Sequence, residues 1–306
     1  MSAFSVQKGD ILFQRSSETL EDVGRANVYV DDIPAVFGGF VIRGKQKTNY
    51  NPLFFKYLLS SPLARKRIIR MGAGAQHFNI GQEGLSKVKL PFACIDEQNK
   101  IAKILYLLDK RISLQNKIID KLQTLIKGIR HNIFKDIQGE VLALGNIADV
   151  YQPQTISSSD LTTDGYWVYG ANGIIGKYKE YNHETEQICI TCRGNTCGTV
   201  NYTQPKAWIT GNSMVINTDK HQQQVNKRYL FHYLSSYNFN SIVSGSGQPQ
   251  IVRTPLERIK IALPSIEKQV QIAHGIDLIF MKIVTEYSML ALLENQKQYL
   301  LRQMFI

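Results

Sequence analysis

The sequence predicts an α+β protein: two pseudo-repeated mixed α/β domains joined by two long antiparallel coiled-coil helices. Three observations carry that expectation. Residues 80–98 match residues 251–269 at a constant offset of 171, and the match continues to Phe134 and Phe305. After each matched segment, apolar residues recur at alternating spacings of four and three. Short β-favouring runs separated by turn residues occupy the rest of each copy. A period this long lies far outside the roughly 20 to 50 residues of solenoids and propellers, so each copy is a domain with its own core.

In chain order, the first copy offers strands at 11–13, 35–37 and 40–42 and a helix at 52–60. The second offers strands at 188–192, 207–209, 214–216 and 259–263 and a helix at 226–235, punctuated by Asn172-Gly173, Arg193-Gly194-Asn195 and Gly211-Asn212. The resulting boundaries are a partial first domain at 1–93, a first long helix at 94–135, a second domain at 136–263 and a second long helix at 264–306. Aligning residues 9–15 near residues 186–193 puts Met1 near Tyr178. The first domain is therefore expected to lack a counterpart of roughly residues 136–178.

The first seam is Ile101, Leu105, Leu108, Ile112, Gln115, Ile119, Leu122, Ile126, Ile129 and Ile133. Its repeat is Ile272, Ile276, Ile279, Ile283, Glu286, Leu290, Leu293, Lys297, Leu300 and Met304. Such a spacing is the signature of a coiled coil. Gln115 and Glu286 are equivalent polar interruptions, and Lys297 is an extra one. They either fix the register at a cost in stability or are tolerated on a wet seam. From Ile101 to Ile133 the helix is about 50 Å long at about 1.5 Å per residue, and it cannot bury its stripe alone. Its natural partner is the other copy, and pairing within one chain or between two chains fits the same pattern.

With 306 residues, 43% hydrophobic and 20% charged, the composition is that of a globular chain. A net charge of +11 and a pI near 9.4 make a polyanion, nucleic acid first, the partner to test. No apolar run approaches the 18 or so residues of a membrane span, and the N-terminus has no basic start followed by an apolar core, so the expectation is a cytoplasmic protein without membrane association. Cys189 and Cys192 fall in a strand-like run, with Cys197 and His183 nearby, and read as buried thiols rather than as a metal site. Asn51-Pro52-Leu53 is no base-flipping loop, and Gly38-Gly39 precedes no helix in a G-x-G-x-x-G pattern. Nor is there a Walker A sequence. Six histidines and 25 acidic residues form no compact catalytic pattern. The expectation is a binding protein with no cofactor and no metal.

Several motifs carry a more specific reading. They are Lys8-Gly9-Asp10-Ile11-Leu12 followed by Arg15, Gly145-Asn146-Ile147-Ala148-Asp149-Val150, and Tyr169-Gly170-Ala171-Asn172-Gly173-Ile174-Ile175-Gly176-Lys177-Tyr178. Ser244-Gly245-Ser246-Gly247-Gln248 follows, and Asp96-Glu97-Gln98-Asn99-Lys100-Ile101-Ala102 and Leu263-Pro264-Ser265-Ile266-Glu267-Lys268-Gln269 open the two helices. In this order, and partly in duplicate, they resemble the specificity subunit of type I restriction-modification systems over the whole chain. The resemblance implies two target-recognition domains held apart by two antiparallel helices, each reading half of a split site on double-stranded DNA. It implies a non-catalytic scaffold for methyltransferase subunits and, in the full enzyme, restriction and translocating subunits. The short first domain departs from the family pattern, and a coiled-coil assembly protein that no longer reads a split site is the alternative.

Base reading needs side chains with defined donor and acceptor patterns: Arg for guanine, Asn and Gln for adenine, Ser and Thr for either. In the second domain the candidates are Lys177, Tyr178, Arg193, Asn195, Thr196, Asn212, Ser213, Gln248, Gln250 and Arg253. In the first they are Arg15, Ser16, Arg25, Arg43, Gln76, His77 and Asn79. Asn172, Asn195 and Asn212 also suit turns with positive φ. Arg65-Lys66-Arg67 with Arg70 is the densest basic cluster and reads as a phosphate anchor or an exposed charged face. A helix of about 50 Å spans about 14 base pairs at about 3.4 Å each, which suits two half-sites around an unread spacer.

Overall fold

The computed structural model describes residues 4–171, 173–245 and 247–305. Two positions singled out by sequence, Asn172 and Ser246, lie outside the described residues. Along the chain the principal elements are strands β1 (Ile11–Gln14), β2 (Ala26–Val28) and β3 (Val41–Gly44), helix α1 (Pro52–Ser60) and the long helix α2 (Ile95–Lys135). Strands β4 (Glu140–Ala143), β5 (Asp149–Tyr151), β6 (Ile188–Thr191), β7 (Val200–Tyr202) and β8 (Ser213–Asn217) follow. Helix α3 (Lys227–Ser236), strand β9 (Lys260–Leu263) and the long helix α4 (Ile266–Met304) complete the set. The architecture is thus mixed helix and strand. Two compact units divide it: Met1–Ile119 with Thr285–Ile306, and Asp120–Val284.

The long helices run through both units as 41 and 39 residues without a break. Every seam residue on both of them is buried or half-buried. In the first unit the pairing is antiparallel and within the chain. Ala102 and Leu105 pack with Leu301 and Phe305, and Asp109 meets Lys297 at 2.6 Å. Gln115 Nε2 donates to the Glu286 carbonyl at 3.0 Å and also to its carboxylate, so the two polar interruptions bond each other. Lys297 is satisfied by Asp109, whose other carboxylate oxygen accepts from the Tyr57 hydroxyl at 2.8 Å. In the second unit Ile126 and Phe134 of α2 share a core with Ala273, Ile276 and Ile283 of α4.

Each unit builds an antiparallel sheet on the same plan. In the first the order is β2-β1-β3, with Phe13 opposite Ala26 and Ile42. In the second it is β7-β6-β8-β5, with Ile190 opposite Val200 and Met214. Strand β6 reads Ile-Cys-Ile-Thr and is buried at all four positions, as a central strand covered on both faces must be. Burial pushes the Cys189 thiol up to about 12, the behaviour of a small core residue.

A duplicated clasp fixes a short helix to a long one in each unit. Asn51 caps α1 by accepting from Phe54 N at 3.0 Å, and its own N–H donates to Gln98 Oε1 at 2.9 Å. Asn226 caps α3 through Tyr229 N at 2.9 Å and donates to Gln269 Oε1 at 2.8 Å. The amide nitrogens reach back to Ala93 O in one unit, and to Pro264 O and Gln224 O in the other. Both glutamines are almost wholly buried. Removing the Gln269 amide strands backbone groups that water does not reach, so Gln269→Ala is expected to cost about 1–3 kcal/mol in urea unfolding. Gln98→Ala should cost less, since it makes one bond fewer.

Candidate nucleic-acid interface

In the second unit three connections converge. The first is the turn after β6 carrying Arg193, the second the turn before β8 carrying Asn212, and the third the glycine-rich loop that ends at Gln250. Backbone bonds weld them together. Cys192 N donates to Asn212 O at 2.9 Å, Ile251 N to Cys192 O at 3.0 Å and Gly194 N to Pro249 O at 3.0 Å. Ser244 and Gln250 exchange both their N–H groups at 2.8 Å. Gly245 has φ +92°, and a Cβ there would sit 2.4 Å from the Gln248 carbonyl oxygen, so only glycine closes this loop.

The result is a cleft of about 470 Å³ lined by Ala171, Arg193, Asn212, Gln248 and Gln250. Among the described residues, none of those four polar side chains makes an intramolecular hydrogen bond. Arg193, Asn212 and Gln248 are exposed to solvent there. A guanidinium and three carboxamides form a donor set suited to guanine and adenine edges.

The other candidates of the second unit are placed differently. Asn195 is exposed on the same turn as Arg193. The Thr196 hydroxyl donates to Ala171 O at 3.1 Å, holding the cleft wall. Ser213 is fully buried and its hydroxyl donates to Gly170 O, which secures the turn. Lys177 lies over the Trp167 ring at 5.0 Å, and Tyr178 packs edge-on against Trp208. Arg253 pairs with Glu257 at 2.7 Å.

The first unit repeats the frame with other side chains. Arg15 N donates to Phe40 O at 2.8 Å and Ile80 N to Arg15 O at 2.9 Å, the bonds that Cys192 makes in the second unit. Ala73 and Asn79 repeat the exchange between Ser244 and Gln250. Gly74, at φ +142°, would put a Cβ 1.9 Å from the His77 carbonyl oxygen, as Gly245 does with Gln248. In this register Arg193, Asn212, Gln248 and Gln250 correspond to Ser16, Phe40, His77 and Asn79. Three of the four are legible in sequence; Phe40 is not. It is 77% exposed on the turn where Asn212 sits in the other copy.

Of the remaining candidates, Arg15 takes the place of buried Cys192 rather than of Arg193. With Arg43, Phe37 and Gln82 it lines a separate cleft of about 460 Å³ along β3. Arg43 donates to the Ser5 carbonyl and stacks on Phe37. Arg25 pairs with Asp22 at 2.7 Å, and Gln76 is exposed beside His77. The basic cluster divides. Arg65 donates to Glu21 O and Val23 O, and Arg67 to Lys89 O, so both tie the fold together, while Lys66 and Arg70 face solvent.

Comparison with known proteins fits this duplicated frame. The chain is 26% identical over 219 residues to the type I restriction enzyme EcoprrI specificity subunit of Escherichia coli, across 65% of this chain and 54% of that protein. It therefore spans about half the length of that relative. It is 27% identical over 302 residues to the putative MjaX specificity subunit of Methanocaldococcus jannaschii, across 87% and 70% of the two chains. The fold is that of the S subunit from M. genitalium, with a TM-score of 0.68 at 19% identity covering 100% of this chain and 85% of that one. A second solved structure, from a study of complex assembly in the type I system, gives 0.62 at 14% identity over 98% and 83%. Residues 1–124 and 138–295 match the profile of the type I restriction modification DNA specificity domain, and the chain belongs to that family.

Proposed function

We propose that this chain is a non-catalytic specificity subunit that reads a bipartite site on double-stranded DNA and carries methyltransferase subunits, with restriction and translocating subunits joining in the full enzyme. The observation that carries this reading is the set of four unspent side chains, Arg193, Asn212, Gln248 and Gln250, on a welded and duplicated loop frame. On the equivalent frame Ser16 donates to Asn79 Oδ1, so Phe40 and His77, with the Ser16–Asn79 pair, would read a different half-site, because their chemistry differs position by position. Phe40 suits a thymine methyl group, where Asn212 suits adenine.

The helices supply the other half of the role. Ile104, Leu107, Leu114 and Ile118 of α2 are each more than two-fifths exposed and recur at near-heptad spacing outside the seam. A second apolar stripe on a helix whose first stripe is already paired suits a partner subunit. Helix length sets the spacer between half-sites in this scheme.

The test is co-expression with the cognate methyltransferase subunit, followed by genome-wide mapping of methylated adenines. A split motif is the expected result. A single or palindromic half-site would confine reading to one unit and support the assembly-protein alternative for the other. Assembly with the methyltransferase but no methylation would overturn DNA reading altogether.

A further inference from the structure

Outside the long helices, most of the exposed large apolar side chains among the described residues of the second unit gather on one hairpin, in which Tyr166–Gly170 pairs with Gly173–Tyr178. Its tip is fixed to the cleft. Ala171 lines the cleft, and its carbonyl accepts from the Thr191 hydroxyl at 2.6 Å and the Thr196 hydroxyl at 3.1 Å. The Gly170 carbonyl accepts from Ser213, and the Tyr169 carbonyl from Thr210 N at 2.9 Å. Thr191, Thr210 and Ser213 are all buried, so the anchorage of the tip comes from the interior of the unit.

Ile174 and Ile175 stand next to this tip, 47% and 44% exposed. Register explains why two consecutive strand residues both face solvent. Tyr169 pairs with Ile174 and Val168 with Gly176, which leaves Ile175 as an extra residue without a cross-strand partner. A bulge of this kind re-aims the side chain it carries. Gly170 makes room for the new direction, because a Cβ there would lie 2.9 Å from Ile175 Cδ1. The isoleucine therefore lies across the glycine that precedes Ala171. Farther along the same strand, Lys177 Nζ sits over the Trp167 ring at 5.0 Å. An isoleucine side chain has no donor or acceptor, so the pair can neither grip a phosphate nor read a hydrogen-bonding edge. It can read a methyl group. The thymine C5-methyl is the apolar feature that base edges present in the major groove, and a two-stranded ribbon is one of the elements that groove admits. Lys177 supplies a cation for the phosphates bordering it.

We propose that Ile174 and Ile175 read thymine methyl groups beside the base pairs that face the cleft, so that the half-site of the second unit holds at least one thymine specified by apolar contact. The inference rests on the DNA reading proposed above and adds to it a selectivity that a guanidinium and three carboxamides do not supply. Two features favour DNA over a protein as the occupant. The hairpin tip is continuous with the cleft through Ala171, and the chain carries a net charge of +11.

The test uses the full chain assembled with its methyltransferase subunit and duplexes bearing the methylated motif mapped in cells. Each thymine of the motif is replaced in turn by uracil, which removes the methyl group, keeps every hydrogen bond of the base pair and leaves the protein untouched. At one or two positions of one half-site the replacement should weaken binding about fourfold, the scale of one buried methyl group. A double variant, Ile174→Ala with Ile175→Ala, should bind the thymine duplex about as weakly as the parent binds the uracil duplex, and should no longer distinguish the two. Arg193→Ala should keep the distinction. Indifference of the parent to uracil at every position, or a distinction that survives in the double variant, would overturn the inference and leave DNA reading in place. A double variant that sheds the methyltransferase subunit while still distinguishing the duplexes would assign the hairpin to a protein contact instead. Absence of any methylated motif would overturn the DNA reading, and this inference with it.

Discussion

Replacing His232 by alanine should lower the unfolding free energy by about 3 kcal/mol, the upper end of the scale for leaving a buried hydrogen-bonding partner unsatisfied. His232 has no exposed surface and lies on α3 between the two long helices. Arg130 Nη2 meets its Nδ1 at 2.9 Å, and its Nε2 meets Asp277 Oδ1 at 2.8 Å. Arg228 completes the network by donating through Nε to Asp277 Oδ2 at 3.0 Å. Burial first, and then the neighbouring Arg130, push the imidazole down to about 4. At neutral pH it is therefore uncharged, its Nδ1 lone pair accepting from Arg130 and its Nε2–H donating to Asp277. Alanine would leave Arg130 without this acceptor, and the Arg130 Nε already lacks one. Glutamine, which offers both an acceptor and a donor, should recover part of the loss in the same urea titration.

The same residue sets an acid sensitivity whose sign follows from linkage. The folded value is depressed below the ordinary 6.5, so the unfolded chain binds a proton that the folded chain refuses. Stability is fully present above pH 6.5 and declines as pH falls toward 4. From pH 7.5 to 5 the loss should be about 2 kcal/mol. His183, which burial also depresses, adds to the loss with the same sign. Asp277 does not contribute in this window. Burial alone would raise its carboxyl, but hydrogen bonds from Arg228 and His232 outweigh that and hold it below the usual carboxylate value, so its contribution is lost only at lower pH. A His232→Gln protein whose urea midpoint falls as steeply as the parent's between pH 7.5 and 5 would show that the slope arises elsewhere.

What sequence revealed was whatever repeats locally. The seam follows from heptad spacing alone, and the polar pair Gln115 and Glu286 could be equated before their bond was known. The caps at Asn51 and Asn226 belong to the same class of short-range signal. Strands were less legible, because a strand is settled by its partner. Val88-Lys89-Leu90 and Ile259-Lys260-Ile261 have the same pattern, yet only the second forms a strand, since only there does β4 lie alongside. The cleft was legible in part. Residue chemistry pointed to Arg193, Asn212, Gln248 and Gln250, but equally to Ser213, whose burial depends on packing around the β8 turn. Phe40 was invisible for the opposite reason: an exposed aromatic ring looks like a core residue until the fold places it on a loop.

The sharpest functional consequence attaches to Arg193. Its side chain makes no internal hydrogen bond among the described residues and lines the cleft beside Gln250. Arg193→Ala should therefore leave the urea midpoint of the protein unchanged. If the guanidinium grips the edge of a guanine, losing it costs about 1–3 kcal/mol of discrimination at one position of one half-site. In a methylation map that appears as a single degenerate position, with the spacer and the other half-site intact. A phosphate contact would behave differently, weakening methylation at every site alike and lowering the salt dependence of binding without relaxing any position. Arg253→Ala is the informative control, because Arg253 is basic and close in sequence to Gln250 but is paired with Glu257 outside the cleft. Ser213→Ala is the complementary one, expected to shift stability while the methylated sequence stays the same. Should Arg193→Ala leave the motif unchanged in every position and every salt, the cleft is not where the second unit reads DNA, and the recognition surface must be sought on the exposed hairpin carrying Trp167 and Lys177.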